Sequence, residues 1–405
     1  MLRTNVRSGP RRFAILLAAA LLLPGVACRE DPVAPTQPGT EALPLSATTA
    51  AALAFYQVTT GERHSCGITT ANRAYCWGLN DRGQLGDGTH ETRLTPRAIG
   101  GTLRFRQIAA AYGHTCAITT DFLAYCWGQG VDGELGDGAA VDRSTPVRVA
   151  GGRQFRQIDP GQNHTCAVSY PDNRAFCWGY NGSAAIGDGT FAWRKTPAAV
   201  SGGLLFRQVD AGGFHSCGVT VTNRAYCWGY NRVGQLGDSL GKGFRTKPSP
   251  VTGGHAFRQI SAGHEATCAV TTSDRAWCWG DGTTGQLGNG LRSVRVWPRA
   301  VSGGLAFTRV TVGMAHTCGE ATSKRAYCWG TNANGQLGDG TTTIQQLKPS
   351  PVAGGLGFYQ LSAGGAHTCG KTGASVAYCW GANFSGQLGN GLTAESRTPV
   401  AVAGP

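Results

Sequence analysis

Histidine and cysteine recur at a fixed spacing along this 405-residue chain, and both residue types can bind metals or take part in catalysis. In the first copy, His64, Cys66 and Cys76 could present three ligands to a metal ion such as zinc. The cysteine pair occurs seven times, once every 50 or 51 residues, and the histidine precedes six of these pairs. A constant period of this length is typical of a solenoid, a propeller or another repeat array.

Each cysteine pair flanks a short polar stretch, as expected for the two strands of a β-hairpin. Directly opposed residues of antiparallel strands bring their Cα atoms to about 4.5 to 5.5 Å, which a disulfide tolerates. We therefore predict seven disulfides, each within its own repeat: Cys66–Cys76, Cys116–Cys126, Cys166–Cys177, Cys217–Cys227, Cys268–Cys278, Cys318–Cys328 and Cys369–Cys379. A metal site is the weaker interpretation, because opposed cysteines oxidise in an exported protein. The histidine is then expected to make a structural hydrogen bond between repeats.

One acidic residue per repeat could indicate a calcium site or carboxylate catalysis. Its position holds Asp in five copies and Asn in two: Asp87, Asp137, Asp188, Asp238, Asp339, Asn289 and Asn390. A turn-forming role explains this interchange better, since Asn and Asp both favour turns. A catalytic set should also differ between copies, and this one does not. We expect no catalytic residue, no metal and no cofactor.

The N-terminus has the organisation of an export signal. Basic residues lie between Arg3 and Arg12, and an apolar run from Phe13 to Leu23 is too short to span a bilayer comfortably. We assign residues 1–27 to a signal peptide. The run ends in LLLPGVAC, which resembles a bacterial lipobox, although Gly25 stands where Leu is usual. Cys28 is also the one cysteine outside the seven pairs, so we predict that it is lipidated; plain secretion is the alternative.

A flexible tether and an all-β body are predicted to follow. Residues 28–54 are rich in Pro, Thr and Ala, as in a flexible linker. The remainder combines 62 glycines in the whole chain with only 15% charged residues, which suits short strands joined by tight turns. Each repeat begins with Phe in a short strand such as FRQIAA, continues into the cysteine hairpin, and ends in a strand near a Thr-Pro pair. Hairpins that are apolar on both faces must be covered on both sides, as in sheets stacked around an axis.

The string AGGFHSCGVTVTNRAYCWGYNRVGQLGD, residues Ala211 to Asp238, resembles the repeat of the regulator of chromosome condensation family. The resemblance covers residues 55–405 and implies a seven-bladed β-propeller, with units starting near residues 55, 105, 155, 206, 257, 307 and 358. The cysteine pairs look like those of exported bacterial members. Two departures occur: the fifth unit has Ala266 in place of the repeated histidine, and the third has GSAAIGDG in place of GQLGDG.

Function is expected where the repeats differ. The connections that precede the last strand of units three, four and five are unusually basic and aromatic. If they emerge on one face, they form a binding patch of a composition typical of interface hot spots: Trp193, Arg194, Lys195, Phe244, Arg245, Arg292, Arg295 and Trp297. Ordinary solvated loops are the alternative.

The sequence thus favours a non-enzymatic binding scaffold that presents its loops to a protein or to an anionic cell-surface polymer. Formal net charge is +13, or about +9 without the four arginines of the leader, which favours anionic partners without specifying nucleic acid. We expect a monomer in the bacterial cell envelope as a lipoprotein, or a secreted one. Three alternatives remain: an exchange factor for a small GTPase, as in the nuclear family member, an inhibitor of a secreted enzyme, and a hydrolase or lyase on a propeller scaffold.

Overall fold

A computed structural model describes residues 53–405 of the chain. The predicted signal peptide, the lipidation of Cys28 and nearly all of the tether lie outside the described residues. Within residues 53–405 the regular structure is entirely β, in agreement with the predicted fold class. No helix of this part of the chain is long and apolar enough to cross a membrane.

Twenty-eight strands form seven four-stranded antiparallel sheets, and each sheet is one sequence repeat. In chain order the blades are β1 Phe55–Thr60, β2 His64–Thr69, β3 Ala74–Gly78 and β4 Arg93–Ala98; β5 Phe105–Ala110, β6 His114–Thr119, β7 Ala124–Gly128 and β8 Arg143–Arg148; β9 Phe155–Pro160, β10 His164–Ser169, β11 Ala175–Gly179 and β12 Arg194–Ala199; β13 Phe206–Ala211, β14 His215–Thr220, β15 Ala225–Tyr230 and β16 Phe244–Pro250; β17 Phe257–Ala262, β18 Ala266–Thr271, β19 Ala276–Gly280 and β20 Arg295–Ala300; β21 Phe307–Val312, β22 His316–Ala321, β23 Ala326–Thr331 and β24 Gln345–Pro351; β25 Phe358–Ala363, β26 His367–Thr372, β27 Ala377–Gly381 and β28 Ser396–Ala401.

The seven sheets form a closed ring with the first strand of each blade innermost. Each first strand contacts the first strands of both neighbouring blades, and β1 contacts β25 of the last blade in the same way. Among residues 53–405 no strand is exchanged at this closure, since β28 pairs with β27 of its own blade. The ring therefore closes through the same kind of side-chain contacts that join every other pair of blades. This is the seven-bladed propeller that the family resemblance implied.

The two cysteines of each repeat lie opposite each other in the middle of a hairpin. Cys66 pairs with Cys76 in the β2–β3 register, and Cys166 pairs with Cys177 although the third hairpin is one residue longer. All seven pairs are joined as disulfides, with Cα–Cα distances of 4.0 to 4.1 Å. Each blade is thus cross-linked between its two central strands.

The core consists of seven similar clusters, each shared by two adjacent blades. Trp127 of the second blade is fully buried with Ile68 and Leu85 of the first, and its own Phe105 packs on it at 6.2 Å between ring centroids. Gly86 has a φ of +70° and lies so close that an added Cβ would be 2.6 Å from the indole nitrogen of Trp127. The glycine that follows Gln-Leu in this loop therefore lets the loop of one blade lie flat on the tryptophan of the next.

Candidate functional site

A glutamine in the innermost strand of most blades joins that blade to the next. The side chain of Gln57 donates from Nε2 to the carbonyl of Ile108 at 2.8 Å, and its Oε1 accepts from the amide of the same residue at 3.0 Å. The carboxamide thus donates one hydrogen bond to the backbone of the neighbouring blade and accepts one from it, as a paired strand residue would. Equivalent pairs recur at five further seams, including the closure, where Gln360 bonds to Val58.

The repeated histidine forms a second link across the seam. His64 Nε2 lies 2.8 Å from the hydroxyl of Thr115 in the next blade, and that hydroxyl donates to the carbonyl of Gln84 at 2.9 Å. Since Thr115 has one hydroxyl proton and uses it on Gln84, the histidine must be the donor to Thr115 through Nε2–H. Trp127 donates to the same carbonyl at 3.0 Å. We call this chain of hydrogen bonds the seam relay. In it the repeated histidine makes the structural hydrogen bond between repeats that the sequence predicts.

Burial keeps the relay histidines neutral. It lowers the pKa of His64 to about 4, and burial together with repulsion from His164 and His64 lowers the pKa of His114 to about 3. The Nδ1 atoms of both rings are buried without a hydrogen-bond partner, so a proton added there would be neither paired nor hydrated. These histidines are fully buried and the nearby cysteines are in disulfides. Within residues 53–405 no three His, Cys, Asp or Glu side chains gather as a metal site.

Two seams depart from this arrangement, and both belong to the sixth blade. Ala266 removes the histidine from the seam between the fifth and sixth blades, while its acceptor Thr317 still donates to Gln286 at 2.8 Å. At the seam between the sixth and seventh blades, Arg309 takes the place of the glutamine. There Glu320, opposite Arg309 in register, accepts from the amide of Leu361 at 2.7 Å. At this seam Glu320 therefore supplies the hydrogen bond to the neighbouring backbone that the glutamine supplies elsewhere.

The repeated aspartates organise the loops that precede the outer strands. Asp188 accepts from the amide of Thr190 at 2.9 Å and from Arg194 at 2.8 Å, and Asp238 accepts from Arg245 at 2.7 Å. Burial raises the pKa of Asp188, but the hydrogen bonds from Thr190 and Arg194 outweigh it and hold that pKa below its ordinary value. Similar pairs join Asp87 to Arg93 and Asp137 to Arg143. The aspartate is thus part of a turn, and Arg194 and Arg245 are already paired.

The two ends of the propeller carry different connections. Because all neighbouring strands are antiparallel, the end of each first strand, the start of the second, the end of the third and the start of the fourth lie at one end. We call this end the loop face and the opposite end, which carries the cysteine-hairpin turns, the hairpin face. All eight residues of the predicted patch belong to the loops or outer strands of units three to five, and those loops emerge on the loop face.

An aromatic track crosses the loop face from the rim to the axis. It consists of six rings in sequential contact, with centroid separations of 5.3 to 6.4 Å: Phe191, Phe244, Tyr230, Phe214, His264 and Tyr112. Phe191 and Phe244 are 50% and 45% exposed at the outer end. Tyr112 belongs to the second blade and meets His264 of the fifth, so its ring lies across the mouth of the central channel.

The structure brings some of the predicted patch together with the track and leaves the rest apart. Phe244 is a member of the track, and Trp193, 54% exposed, stands 5.0 Å from Tyr180. Trp297 lies instead beneath the guanidinium of Arg299 at 5.4 Å. The remaining cations of the patch, Lys195, Arg292 and Arg295, have no carboxylate partner within residues 53–405.

Comparison with known families gives a match over most of the repeats. The model of the regulator of chromosome condensation (RCC1) repeat matches residues 72–118, 123–168, 223–270, 273–319 and 325–370, and a second model of that description matches 55–84, 206–235 and 257–286. The chain belongs to the RCC1 repeat family. A comparison with curated protein sequences gave no match.

Several solved structures share the fold at low sequence identity. Yeast RCC1 (Prp20), in its complex with Kap60, is 18% identical, with 91% of each chain covered and a TM-score of 0.73. Human WBSCR16 is 19% identical over 76% of this chain and 83% of its own, with a TM-score of 0.69. The CRINKLY WD40 ectodomain of the Arabidopsis thaliana receptor kinase ACR4 is 20% identical over 86% and 97%, with a TM-score of 0.52. At these identities the likeness establishes the fold.

Within the RCC1 repeat, the sequence interpretation missed the inner part of the aromatic track. Tyr112, Phe214 and His264 occupy the variable positions of the Gly-x-x-His turn that joins the first two strands. Tyr180 and Tyr230 occupy the variable position directly after Trp-Gly. A search for aromatic residues at non-repeating positions would have found all five. The contacts that join Tyr112, Phe214, His264 and Tyr230 in the track could not have been found in this way, because they depend on how the blades surround the axis.

Proposed function

We propose that this RCC1-type propeller is an exported, non-catalytic binding scaffold whose loop face engages a protein partner. The observation that carries the proposal is the aromatic track, whose two outer rings are exposed and whose other four are partly buried, since contiguous exposed apolar surface marks an interaction site. Aromatic and arginine side chains are also the residues that contribute most to binding at protein interfaces. Phe191, Phe244 and Trp193 supply exposed rings, and Lys195 and Arg292 supply positive charge from loops or outer strands of the same face.

The scaffold is suited to this role because it presents loops on a rigid support. Each blade has a disulfide, and hydrogen bonds from glutamine and histidine side chains join neighbouring blades. Little conformational entropy should therefore be lost when the loop face binds a partner. Structural relatives have protein partners: Prp20p was examined for binding to Gsp1p and histones, and yeast RCC1 was solved with Kap60 bound. Such proteins support a binding or regulatory role in preference to classical enzyme activity.

Export is part of the proposal. Seven disulfides suit an oxidising compartment, and the ACR4 and CR4 relatives are ectodomains of receptor kinases. A lipid on Cys28 would attach the propeller to the cell envelope through residues 29–54. Metabolic labelling with a palmitate analogue tests this attachment, and a Cys28→Ala chain that still incorporates the label would contradict it.

Site-specific photocrosslinking on intact cells tests the binding face. A photoreactive phenylalanine at position 244 should give a discrete crosslinked product identifiable by mass spectrometry. The matched control places the same residue at Val221, which is 43% exposed on a hairpin turn at the other end. Phe191→Ala combined with Trp193→Ala should reduce the product at position 244. An identical product from position 221, or one unaffected by the two substitutions, would contradict binding at the loop face.

An exchange factor acting on a small GTPase is the second candidate, favoured by the relative that binds Gsp1p. It requires the propeller to be in the cytoplasm, where structural disulfides are rare. A reporter enzyme that is active only in the cytoplasm, fused after Pro405, separates the two. Activity of that fusion would support the exchange factor and contradict the exported scaffold.

A further inference from the structure

The central channel has a wide opening on the hairpin face. Its cavity there is about 1020 Å³, whereas the end beneath Tyr112 encloses only about 150 Å³. Asp159 and Asp210 are among the residues that line both parts. The larger volume is that of a typical site for a small molecule. The channel is therefore a pocket that is entered from the hairpin face and narrows toward Tyr112.

Four arginines surround the wide opening. They occupy the second position of the innermost strand in four consecutive blades, and we call them the arginine collar: Arg106, Arg156, Arg207 and Arg258. Arg309, Lys324 and Lys371 line the same cavity. The four collar residues are about fifty positions apart in the sequence, so they come together only because the blades are arranged around one axis.

The collar is held in place mainly by neutral groups. Arg156 donates to Asn173 and to the carbonyls of Phe206 and Arg207, each at 2.8 Å. Arg258 reaches the carbonyl of Phe307 at 2.7 Å and also pairs with Asp274 at 2.7 Å.

The other two collar residues are less tightly held. Arg106 stacks over Phe122 with its guanidinium 4.4 Å from the ring centroid. Arg207 donates from Nη2 to Val221 at 3.2 Å, while its Nε is buried without a partner. Within residues 53–405, Arg106, Arg156 and Arg207 therefore have no carboxylate partner.

Joining the blades does not require positive charge at this position. In the first blade Tyr56 occupies it, and its hydroxyl donates to the carbonyl of Arg106 across the seam. Thr308 and Tyr359 occupy it in the last two blades. Burial, together with repulsion from Arg207 and Arg106, lowers the pKa of Arg156, so the cations disfavour one another. Three adjacent arginines without a carboxylate partner are thus an electrostatic cost that the same strand position in the other blades does not carry.

The acidic groups deeper in the channel offset little of this charge. Asp159 and Asp210 accept the amides of Ala211 and Ala262 at 2.7 and 2.6 Å. Burial raises the pKa of Asp210 to about 7, and burial with repulsion from Asp210 raises that of Asp159. Asp210 is therefore partly protonated near neutral pH, and the raised pKa of Asp159 favours its neutral form as well. Glu320, which lines the same cavity, lies opposite Arg309 in register and accepts from the amide of Leu361.

We propose that the arginine collar binds a small ligand bearing several oxyanion groups, either phosphoryl or carboxylate, at the hairpin-face end of the channel. Guanidinium groups suit this chemistry because they donate pairs of parallel hydrogen bonds to such oxygens. The arrangement calls for several anionic groups, because the collar presents cations from consecutive blades around one opening. The site is at the opposite end from the aromatic track, so it is separate from the proposed protein interface.

Calorimetric titration of the purified, oxidised protein with pyrophosphate and with citrate tests the site. At least one of the two should bind saturably, with a Kd of about 1 mM or lower. Binding of pyrophosphate alone identifies phosphoryl groups as the ligand chemistry, and binding of citrate alone identifies carboxylates. Binding of both shows that the collar recognises the negative charge that the two anions share. Raising the salt concentration should weaken the interaction. No saturation by either anion up to about 10 mM would overturn the proposal.

Substitution at the collar distinguishes a built site from general attraction. Arg106→Gln combined with Arg207→Gln should weaken binding about 10-fold or more, because charge-assisted hydrogen bonds are lost. The matched control, Arg97→Gln with Arg148→Gln, removes the same charge from exposed positions on outer strands and should leave the affinity within about 2-fold. Equal losses in both double variants, or none at the collar, would overturn the proposal.

A single substitution distinguishes a loss of binding from a loss of folding. Arg106 is exposed and makes only one long hydrogen bond, at 3.5 Å to the carbonyl of Arg156, so Arg106→Gln should fold normally. With an unchanged melting temperature it should still weaken binding about 3-fold or more. Wild-type affinity in this folded variant would contradict a role for the collar.

Discussion

Acid should loosen the propeller through the seam relay, and the effect can be isolated at one histidine. An unfolded histidine titrates near pH 6.5, while the buried ring of His114 has a pKa of about 3. Because the folded-state pKa is depressed, the unfolded chain binds the extra proton between these values. The stability contributed by the neutral ring is therefore complete above about pH 6.5 and is lost as the pH falls.

The magnitude follows from the proton-binding difference. At pH 5 protonation favours the unfolded state by about 2 kcal/mol for each such histidine, relative to pH 8. Six relay histidines have pKa values lowered to about 3 or 4, so together these rings should contribute a loss on the order of 12 kcal/mol over this interval, which buried carboxyls with raised pKa values such as Glu134 and Asp210 oppose in part. A loss of this size is comparable to the entire stability of many domains, although the disulfides oppose it.

His114→Ala isolates the contribution of one ring, in imitation of Ala266. At pH 8 the variant should be about 2 kcal/mol less stable, because it loses the bond to Thr165 at 2.9 Å and some packing. At pH 5 the difference should nearly vanish, since the variant no longer has a ring to protonate on unfolding. Denaturant titrations of the oxidised protein at pH 5, 6, 7 and 8 measure both quantities.

The control is His90→Ala, because His90 is exposed in a loop and makes no seam contact. Its free energy of unfolding should follow that of the wild type at every pH. A destabilisation of His114→Ala that is the same at pH 5 and pH 8 would show that this ring is not neutral in the fold. That result would refute the protonation argument and leave only packing.

Three further substitutions test other parts of the ring, each measured by denaturant titration. Ala266→His should add about 1 kcal/mol at pH 8 and steepen the acid sensitivity, because Thr317 is already in place to accept from the new ring; no gain would mean that this seam has no room for the relay. Glu134→Gln should stabilise the protein by about 2 to 3 kcal/mol at pH 9 but little at pH 5, since burial raises the pKa of Glu134 to about 7 and its stabilising proton is lost as the pH rises; an equal effect at both pH values would contradict this. Cys66→Ala with Cys76→Ala should cost about 3 kcal/mol by removing a short cross-link, and stability equal to the wild type would show that the β2–β3 hairpin needs no disulfide.

The candidate site was only partly predictable. Units three to five were identified as the place where the loops depart from the repeat, and Phe244 and Trp193 do contribute exposed rings there. Arg194 and Arg245 were also grouped with the patch, yet both are paired with the aspartate of their own turn. The pairing repeats in other blades and follows from the geometry of a short loop. Counting charges in the sequence does not distinguish such paired arginines from free ones.

The sequence by itself determined the repeat, the number of blades and the cysteine register, because each of these is set within a hairpin or by counting copies. Opposed positions such as Cys66 and Cys76 are ten residues apart, so their pairing depends on one local turn. Only the tertiary structure decided the rest. Gln57 meets a residue 51 positions away, Gln360 meets one 302 away, and Tyr112 meets His264 across the channel mouth. Such contacts, like the arginine collar, exist only once the ring has closed, since closure brings equivalent positions of different blades around one axis.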